Sequence, residues 1–220
     1  MTVQRPIDRG SLRVYVVTSS AFGGRSHLDV ATAAIEGGAT TVQLRAPELA
    51  GYEAYVLARE IVARCRPHGV RSIVNDMIDV AVAARADGVH VGQGDGPSKA
   101  RAALGRDGVL GISVGAPDEA RQAELEGADY VGVTIWSTAT KPEAEPVGLD
   151  GLRAIADATR LPVVAIGGID VGNAADVIGA GAAGVGVVSA VAAADDPVEA
   201  VRSLRTAVDE ACAATDGTSA

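Results

Sequence analysis

The sequence predicts an α/β chain folded as one (β/α)8 barrel, the TIM barrel, in a single domain. Three observations carry that expectation. Eight short β-branched runs of about five residues alternate with longer stretches of helical periodicity. The runs are nearly continuous in apolar residues, which is how parallel strands covered on both faces read. The chain has 220 residues, and such barrels run upward from about 200. A doubly wound open sheet is the competing architecture. It wants a GxGxxG phosphate turn after the first strand, whereas residues 18–24 read TSSAFGG.

The elements follow in order. After an N-terminal tail of residues 1–11, the barrel is expected over residues 12–213. Strand one is Val14–Thr18 (VYVVT), and the next helix, Leu28–Glu36, sets Val30, Ala31, Ala34 and Ile35 on one face. Strand two, Thr41–Arg45 (TVQLR), leads to a helix over Tyr52–Arg66. There Val56, Leu57, Ile61 and Ala63 recur at helical spacing, with Arg59, Glu60 and Arg64 outside. Strand three, Ser72–Asp76 (SIVND), precedes a helix at Met77–Ala86. Strand four, Gly88–Gly92 (GVHVG), precedes a helix that Pro97 opens. Strand five is Leu110–Val114 (LGISV), with a helix at Pro117–Glu126. Strand six is Tyr130–Thr134 (YVGVT), followed by a long loop over Ser137–Gly148 and a helix at Leu149–Thr159. Strand seven is Val163–Gly167 (VVAIG), with a helix at Asn173–Ile178. Strand eight is Gly184–Ser189 (GVGVVS), the last helix is Pro197–Ala213, and residues 214–220 form a C-terminal tail.

A weak internal repeat supports this order. The phrase Gly-Ala-(Thr/Asp/Ala) stands before strands two, six and eight, at 38–40, 127–129 and 181–183, with a variant at 86–88 before strand four. Glycine there caps a helix and the chain turns directly into a strand. The spacing is that of two βα units.

Composition narrows the function. The chain is 48% hydrophobic and 21% charged, which excludes a disordered protein. A formal charge of −9 argues against a nucleic-acid partner, and an anionic substrate would need a local cationic site. Cys65 and Cys212 form no CxxC pair and read as two reduced thiols. The opening residues MTVQRPIDRGSLRV have no apolar signal core. No apolar run reaches the roughly 18 residues of a membrane helix, so no membrane association and a cytoplasmic location are expected. The oligomeric state is open, and a homo-oligomer is compatible with the sequence.

In such a barrel, chemistry gathers at the carboxyl ends of the strands. Those ends deliver Gln43 and Arg45, then Asn75 and Asp76, then His90, Gln93 and Asp95, then Ser113, Thr134, Gly167–Gly168 and Val188–Ser189. Asp76 and Asp95 end adjacent strands, about 4.8 Å apart, and can share a cation. Two carboxylates with no thiolate suit Mg2+, which keeps waters and takes substrate phosphates. Taken alone, each Asp reads rather as a cap for the helix that follows, as Asp76 before Met77–Ala86; the pair together with Asn75 and Gln93 favours the cation. Gly167-Gly168-Ile169 after strand seven, with Val188-Ser189 after strand eight, matches the phosphate site common in these barrels; otherwise the glycines only make a turn. His90 reads as a buried hydrogen-bonding group, because no GxSxG elbow supports a triad with Ser113 or Ser189. The loop after strand six offers Thr138, Thr140 and Lys141, the only lysine besides Lys99; a solvated loop is the plain alternative.

With these residues in view, the chain resembles the thiamine-phosphate synthase (thiamine-phosphate pyrophosphorylase) family over about residues 13–205. The motifs are VQLR at 42–45, IVND at 73–76, DGVHVGQGD at 87–95, GIS at 111–113, DYVGV at 129–133, TATK at 138–141, VVAIGGI at 163–169 and GVGVVSA at 184–190. The resemblance implies a transferase. It would join 4-amino-2-methyl-5-hydroxymethylpyrimidine diphosphate to 4-methyl-5-(2-phosphoethyl)thiazole, giving thiamine phosphate and diphosphate by a dissociative path. It implies one Mg2+ per subunit on Asp76 and Asp95. Gln43, Arg45, Asn75, Ser113 and Lys141 would bind the pyrimidine diphosphate, with Arg45, Ser113 and Lys141 as the catalytic groups. Thr138, Thr140, Gly168, Val188 and Ser189 would hold the thiazole phosphate. The partners are thus small phosphorylated molecules.

Two departures from the family pattern stand out. The family reads QLREK where residues 43–47 here read QLRAP, so Pro47 replaces a diphosphate-binding lysine. The stretch after Gly132-Val133 is one residue shorter than the family's GVGPxxxTxTK. Two other functions compete. A thiazole tautomerase on the same barrel would carry a histidine just after strand five, where Ser113-Val-Gly115 stands. A degenerate paralogue would bind phosphorylated ligands without turnover.

Overall fold

The computed structural model describes residues 7–92, 94, 96–137 and 145–218. Eight strands close a parallel barrel in sequence order: β1 (Val14–Val17), β2 (Thr41–Leu44), β3 (Arg71–Asn75), β4 (Gly88–Val91), β5 (Val109–Val114), β6 (Tyr130–Thr134), β7 (Val163–Ile166) and β8 (Gly184–Val187), with β8 returning to β1. The register pairs Val17 with Gln43, Asn75 with His90, Ser113 with Gly132 and Ile166 with Gly186. The expected (β/α)8 barrel is therefore the fold, and each strand lies where the apolar runs placed it, to within a residue or two.

The residue before each even-numbered strand explains most of the internal repeat. Thr40 Oγ1 accepts from the Val14 backbone N–H at 3.1 Å, Asp87 Oδ2 from Ser72 N–H at 2.7 Å and Asp129 Oδ2 from Leu110 N–H at 2.7 Å. Each side chain caps the amino end of the strand beside it, a backbone donor that would otherwise lose its partner on burial. Ala183 occupies the fourth such place and has no side-chain acceptor.

The helices ring the barrel. They are α1 (His27–Gly37), α2 (Gly51–Cys65), α3 (Ile78–Ala84), α4 (Pro97–Leu104), α5 (Pro117–Leu125), α6 (Gly148–Ala158), α7 (Ala174–Gly179), α8 (Ser189–Ala192) and α9 (Pro197–Thr218). Ser26 and Asp29 start α1 with a reciprocal capping box. The helix ends on Gly38 in the left-handed conformation, φ 91°. The close approach of α1 to α9 depends on Gly37: a Cβ there would lie 2.5 Å from Val201 Cβ and 2.7 Å from the Val198 carbonyl oxygen.

Three differences from the sequence expectation are local. Ser189 opens the short helix α8 rather than ending β8, because the chain at Val188 leaves extended geometry at φ −121°, ψ −82°. Residues Arg9–Leu12, inside and just past the expected tail, wind into a 3-10 turn capped by Asp8. Leu12 there is fully buried and plugs the amino end of the barrel. At the other end, α9 continues past residue 213 to Thr218.

Packing has two layers. Between barrel and helices lies a large Val, Ile, Leu and Ala core that includes Val16, Val42, Leu44, Ile112, Val133, Ile155 and Leu204. Inside the barrel is a smaller cluster of Leu12, Tyr15, Val17, Ile73, Val109, Tyr130 and Val164. The alternation of strand side chains thus sends two of the four tyrosines inward. Cys65 is buried and Cys212 half-buried, both as free thiols, and burial pushes the Cys65 thiol pKa up to about 12. No helix among the described residues is long and apolar enough to cross a membrane.

Candidate active site

The carboxyl rim of the strands opens into a cavity of about 490 Å3, within the usual range of roughly 300–1,000 Å3 for small-molecule sites. Gln43, Arg45, Asn75, Ser113, Gly168, Val188 and Ser189 all line it. Five strand ends therefore bring seven of the expected substrate-binding residues to one space. Asp76 does not line this cavity. It is exposed beside Asn75, whose amide donates to the Asp76 carboxylate, and it borders a separate shallow depression with Ile78, Asp79, Val82, Ala83 and Ala103. Asp95, Thr138, Thr140 and Lys141, and with them Gln93, lie outside the described residues.

Among the described residues, Asp76 is also one of two non-glycine residues with positive φ, at 60°. Its backbone N–H donates to the His90 carbonyl at 2.9 Å and its own carbonyl accepts from Ile78 at 2.9 Å. Met77, with no side-chain cap, stands at the helix start, so Asp76 is not the capping residue of α3. A left-handed L-residue costs roughly 1–2 kcal/mol, and such strain collects at functional positions. The set of hard oxygen donors that Asp76 and Asn75 present fits Mg2+ in kind. Among the described residues, no group of three or more His, Cys, Asp and Glu side chains converges.

On the opposite side, Gly167 and Gly168 both have positive φ, 104° and 66°. The β7–α7 loop is held in place by Asn173, which donates to the Gly168 carbonyl at 3.0 Å and accepts from Asp170 N–H at 3.0 Å. A Cβ on Gly168 would meet Trp136 Cβ at 3.5 Å, so backbone torsion rather than crowding selects glycine there. Val188 and Ser189 complete this wall.

The floor is polar. Gln43 Nε2 donates to Tyr15 Oη at 2.9 Å, Tyr15 Oη and Tyr130 Oη are 2.8 Å apart, His90 Nδ1 is 3.0 Å from Tyr130 Oη and His90 Nε2 is 2.9 Å from Ser113 Oγ. Gly111 and Gly132 make the room. A Cβ at Gly111 would overlap the Tyr130 ring, and one at Gly132 would sit 2.8 Å from His90 Cε1. His90 is thus a hydrogen-bonding group, as its place in β4 implied, but half-buried rather than buried. The group beyond its Nδ1 is a phenol, not the carboxylate of a hydrolytic triad. Burial raises the pKa of both Tyr15 and Tyr130 above the ordinary phenol value, so both stay protonated.

Tyr15, Tyr130 and Thr18 were not singled out in the sequence, although all three line the cavity. Strand parity could have found the two tyrosines: Tyr15, Tyr130, Gln43, His90 and Ser113 share the inward-facing positions of their strands, whereas Thr18 follows β1 on the opposite parity. Thr18 accepts a long bond, 3.4 Å, from the Arg45 backbone N–H and lies 2.8 Å from His27 Nδ1.

A closed barrel with polar groups at five strand ends, a double-glycine turn after β7 and a paired turn after β8 defines a (β/α)8 enzyme acting on small phosphorylated substrates. Comparison with known proteins narrows the class. The sequence profile described as thiamine monophosphate synthase matches residues 14–191. The thiamine-phosphate synthase of Moorella thermoacetica is 50% identical over 199 residues, covering 89% of this chain and 95% of that protein. That of Chloroflexus aurantiacus is 52% identical over 200 residues, covering 89% and 92%. The solved thiamine phosphate pyrophosphorylase of Pyrococcus furiosus superposes with a TM-score of 0.86 at 36% identity, covering 92% of this chain and 98% of that one. The chain belongs to the thiamine monophosphate synthase family and is a transferase.

Proposed function

We propose that this transferase joins 4-amino-2-methyl-5-hydroxymethylpyrimidine diphosphate to 4-methyl-5-(2-phosphoethyl)thiazole, releasing diphosphate and forming thiamine phosphate. The observation that carries the reading is the convergence of Gln43, Arg45, Asn75, Ser113, Gly168, Val188 and Ser189 on one cavity. The first four lie on the side assigned to the pyrimidine diphosphate and the last three on the side assigned to the thiazole phosphate.

The bond changes need little from side chains as acids or bases. The C–O bond between the pyrimidine methylene and diphosphate breaks, and diphosphate departs with the electron pair. The electron-rich aminopyrimidine stabilises the resulting cation. The thiazole nitrogen lone pair then forms the new C–N bond, and no proton transfer is required. What the chain contributes is charge and position. Arg45, Asn75 and Lys141 hold the leaving diphosphate, Gln43 and Ser113 orient the pyrimidine, and Gly168, Val188 and Ser189, with Thr138 and Thr140, hold the phosphate of the second substrate. Mg2+ held by Asp76 and Asp95 would neutralise charge on the diphosphate. The apolar walls, Val164, Ile166 and Val187, limit water access to the cation.

The test is direct. Purified protein with both substrates and Mg2+ should release diphosphate and thiamine phosphate in equal amounts, and EDTA should stop it. A folded protein that forms no thiamine phosphate would overturn the reading in favour of a binding paralogue.

A further inference from the structure

One side chain of the β1–α1 loop holds the carboxyl end of α8. Arg25 Nη1 donates to the Ala192 carbonyl at 2.9 Å, and Nη2 donates to the Asp195 carbonyl at 3.2 Å, across 167 and 170 residues of sequence. Ala192 is fully buried, and its carbonyl lies in the last turn of α8, where a helix offers no partner of its own. The guanidinium supplies that bond, and its charge complements the negative end of the helix dipole. Gly23 lets the loop come this close: at φ 66° it stands where a Cβ would lie 2.1 Å from the Ala192 carbonyl oxygen. Arg25 also starts from a fixed point. Its neighbour Ser26 caps α1 in the reciprocal box with Asp29, and the buried His27 lies 2.8 Å from Thr18 Oγ1, just past β1.

The helix needs such a hold. It runs only from Ser189 to Ala192, and a single helical turn is unstable by itself, because fixing its backbone costs more than its first hydrogen bond returns. Its amino end begins at the cavity: Val188, Ser189, Ala190 and Ala193 all line that space. A turn of about 6 Å passes any shift at its carboxyl end on to Ser189. We propose that Arg25 is a positioning residue that holds α8 so that Val188 and Ser189 can receive the phosphate of the thiazole substrate. This rests on the assignment of that phosphate made above. Arg25 does not itself line the cavity, so it acts on the ligand through α8. The other phosphate wall, Gly167–Gly168, is held separately by Asn173, and the residues assigned to the pyrimidine diphosphate stand on β2, β3 and β5 or just past β2. Loss of Arg25 therefore bears on one ligand only.

The experiment compares the parent with Arg25→Met, which removes both bonds and the charge, and Arg25→Lys, which keeps the charge and can reach one of the two carbonyls. Calorimetric titration gives the affinity of each for the thiazole phosphate and for the pyrimidine diphosphate with Mg2+. Steady-state rates give the KM for the thiazole phosphate beside kcat. In Arg25→Met the affinity for the thiazole phosphate should fall by roughly ten- to a hundred-fold, the value of a hydrogen bond to a charged group. The KM for that substrate should rise to match, and Arg25→Lys should fall between Arg25→Met and the parent. Pyrimidine diphosphate affinity, and kcat with both substrates saturating, should barely move. A residue that served stability alone would weaken both ligands together. Equal losses for the two ligands, or unchanged thiazole phosphate affinity in Arg25→Met, would overturn the proposal. If Arg25→Met does not fold, Arg25→Lys decides between the same outcomes. The titrations need no turnover. A parent protein that binds the thiazole phosphate but makes no thiamine phosphate refutes the reaction and leaves the role of Arg25 to be read from binding. A parent that does not bind the thiazole phosphate overturns this proposal as well.

Discussion

The Glu48 carboxylate lies 2.8 Å from Nε2 of the buried His27, whose other ring nitrogen is 2.8 Å from Thr18 Oγ1. Ser20 Oγ also donates to Glu48, at 3.0 Å. These contacts join the β1–α1 turn to the β2–α2 loop, one residue beyond Pro47 and three beyond Arg45. The bond to His27, first among its causes, lowers the Glu48 pKa below its ordinary 4.5.

Glu48→Gln tests this link. A carboxylate whose folded pKa is depressed contributes stability above its unfolded pKa and loses it as pH falls through the folded value. The parent should therefore melt slightly higher than Glu48→Gln at about pH 7, and the gap should close towards about pH 3. The gap is small because the Glu48 side chain is 45% exposed and screened by solvent. A gap that widens in acid would contradict the assignment.

Asp76 gives the sharpest separation of stability from function. Glycine adopts φ 60° without the Cβ penalty, so Asp76→Gly should equal or exceed the parent in stability, by up to about 1 kcal/mol. Its Mg2+-dependent binding of diphosphate should nevertheless be lost. Denaturant melts and calorimetric titration of diphosphate with and without Mg2+ read the two effects. Retained Mg2+-dependent binding in Asp76→Gly would falsify the metal assignment.

Gly168→Ala meets Trp136 only at ordinary contact distance, so its cost is torsional, about 1–2 kcal/mol at φ 66°. The expected consequence is selective: thiazole phosphate affinity falls well beyond pyrimidine diphosphate affinity. Binding titrations of the two ligands settle it, and parallel losses would move the thiazole phosphate elsewhere in the cavity.

Pro47 stands where the family pattern carries a lysine, in a protein of net charge −9. That puts more weight on Lys141. Lys141→Met should lower kcat by about ten- to a hundred-fold, the value of one charge-assisted hydrogen bond to the leaving group. Melting temperature should hardly change. Adding Pro47→Lys should restore part of the rate. Near-parental turnover in Lys141→Met would make that lysine a surface charge.

Much of the site could be read before any coordinates. Gln43, Asn75, Ser113 and Gly168 each end a strand, and a parallel barrel sends all strand ends to one rim, so adjacency in space followed from topology. The tyrosines could not be read this way. Tyr15 and Tyr130 sit among Val, Ile and Gly and look like core. Their hydroxyls are 115 residues apart in the chain, and only barrel closure brings them together. The Asp76 position shows a different limit. Its acidity and place in the strand marked it as a ligand or a cap, and only the backbone geometry shows that Met77, not Asp76, stands at the cap of α3.

By itself, the sequence determined the alternation of strand and helix, the closure into eight units and the rim on which polar groups gather. These depend on local signals: apolar runs covered on both faces, helical periodicity, and glycine or proline at the turns. Only the tertiary structure decided which inward-facing side chains bond to one another and that Asp76 stands outside the main cavity. Those outcomes depend on contacts between residues far apart in the chain, where the geometry of the closed barrel, rather than the propensity of any one segment, sets the distances.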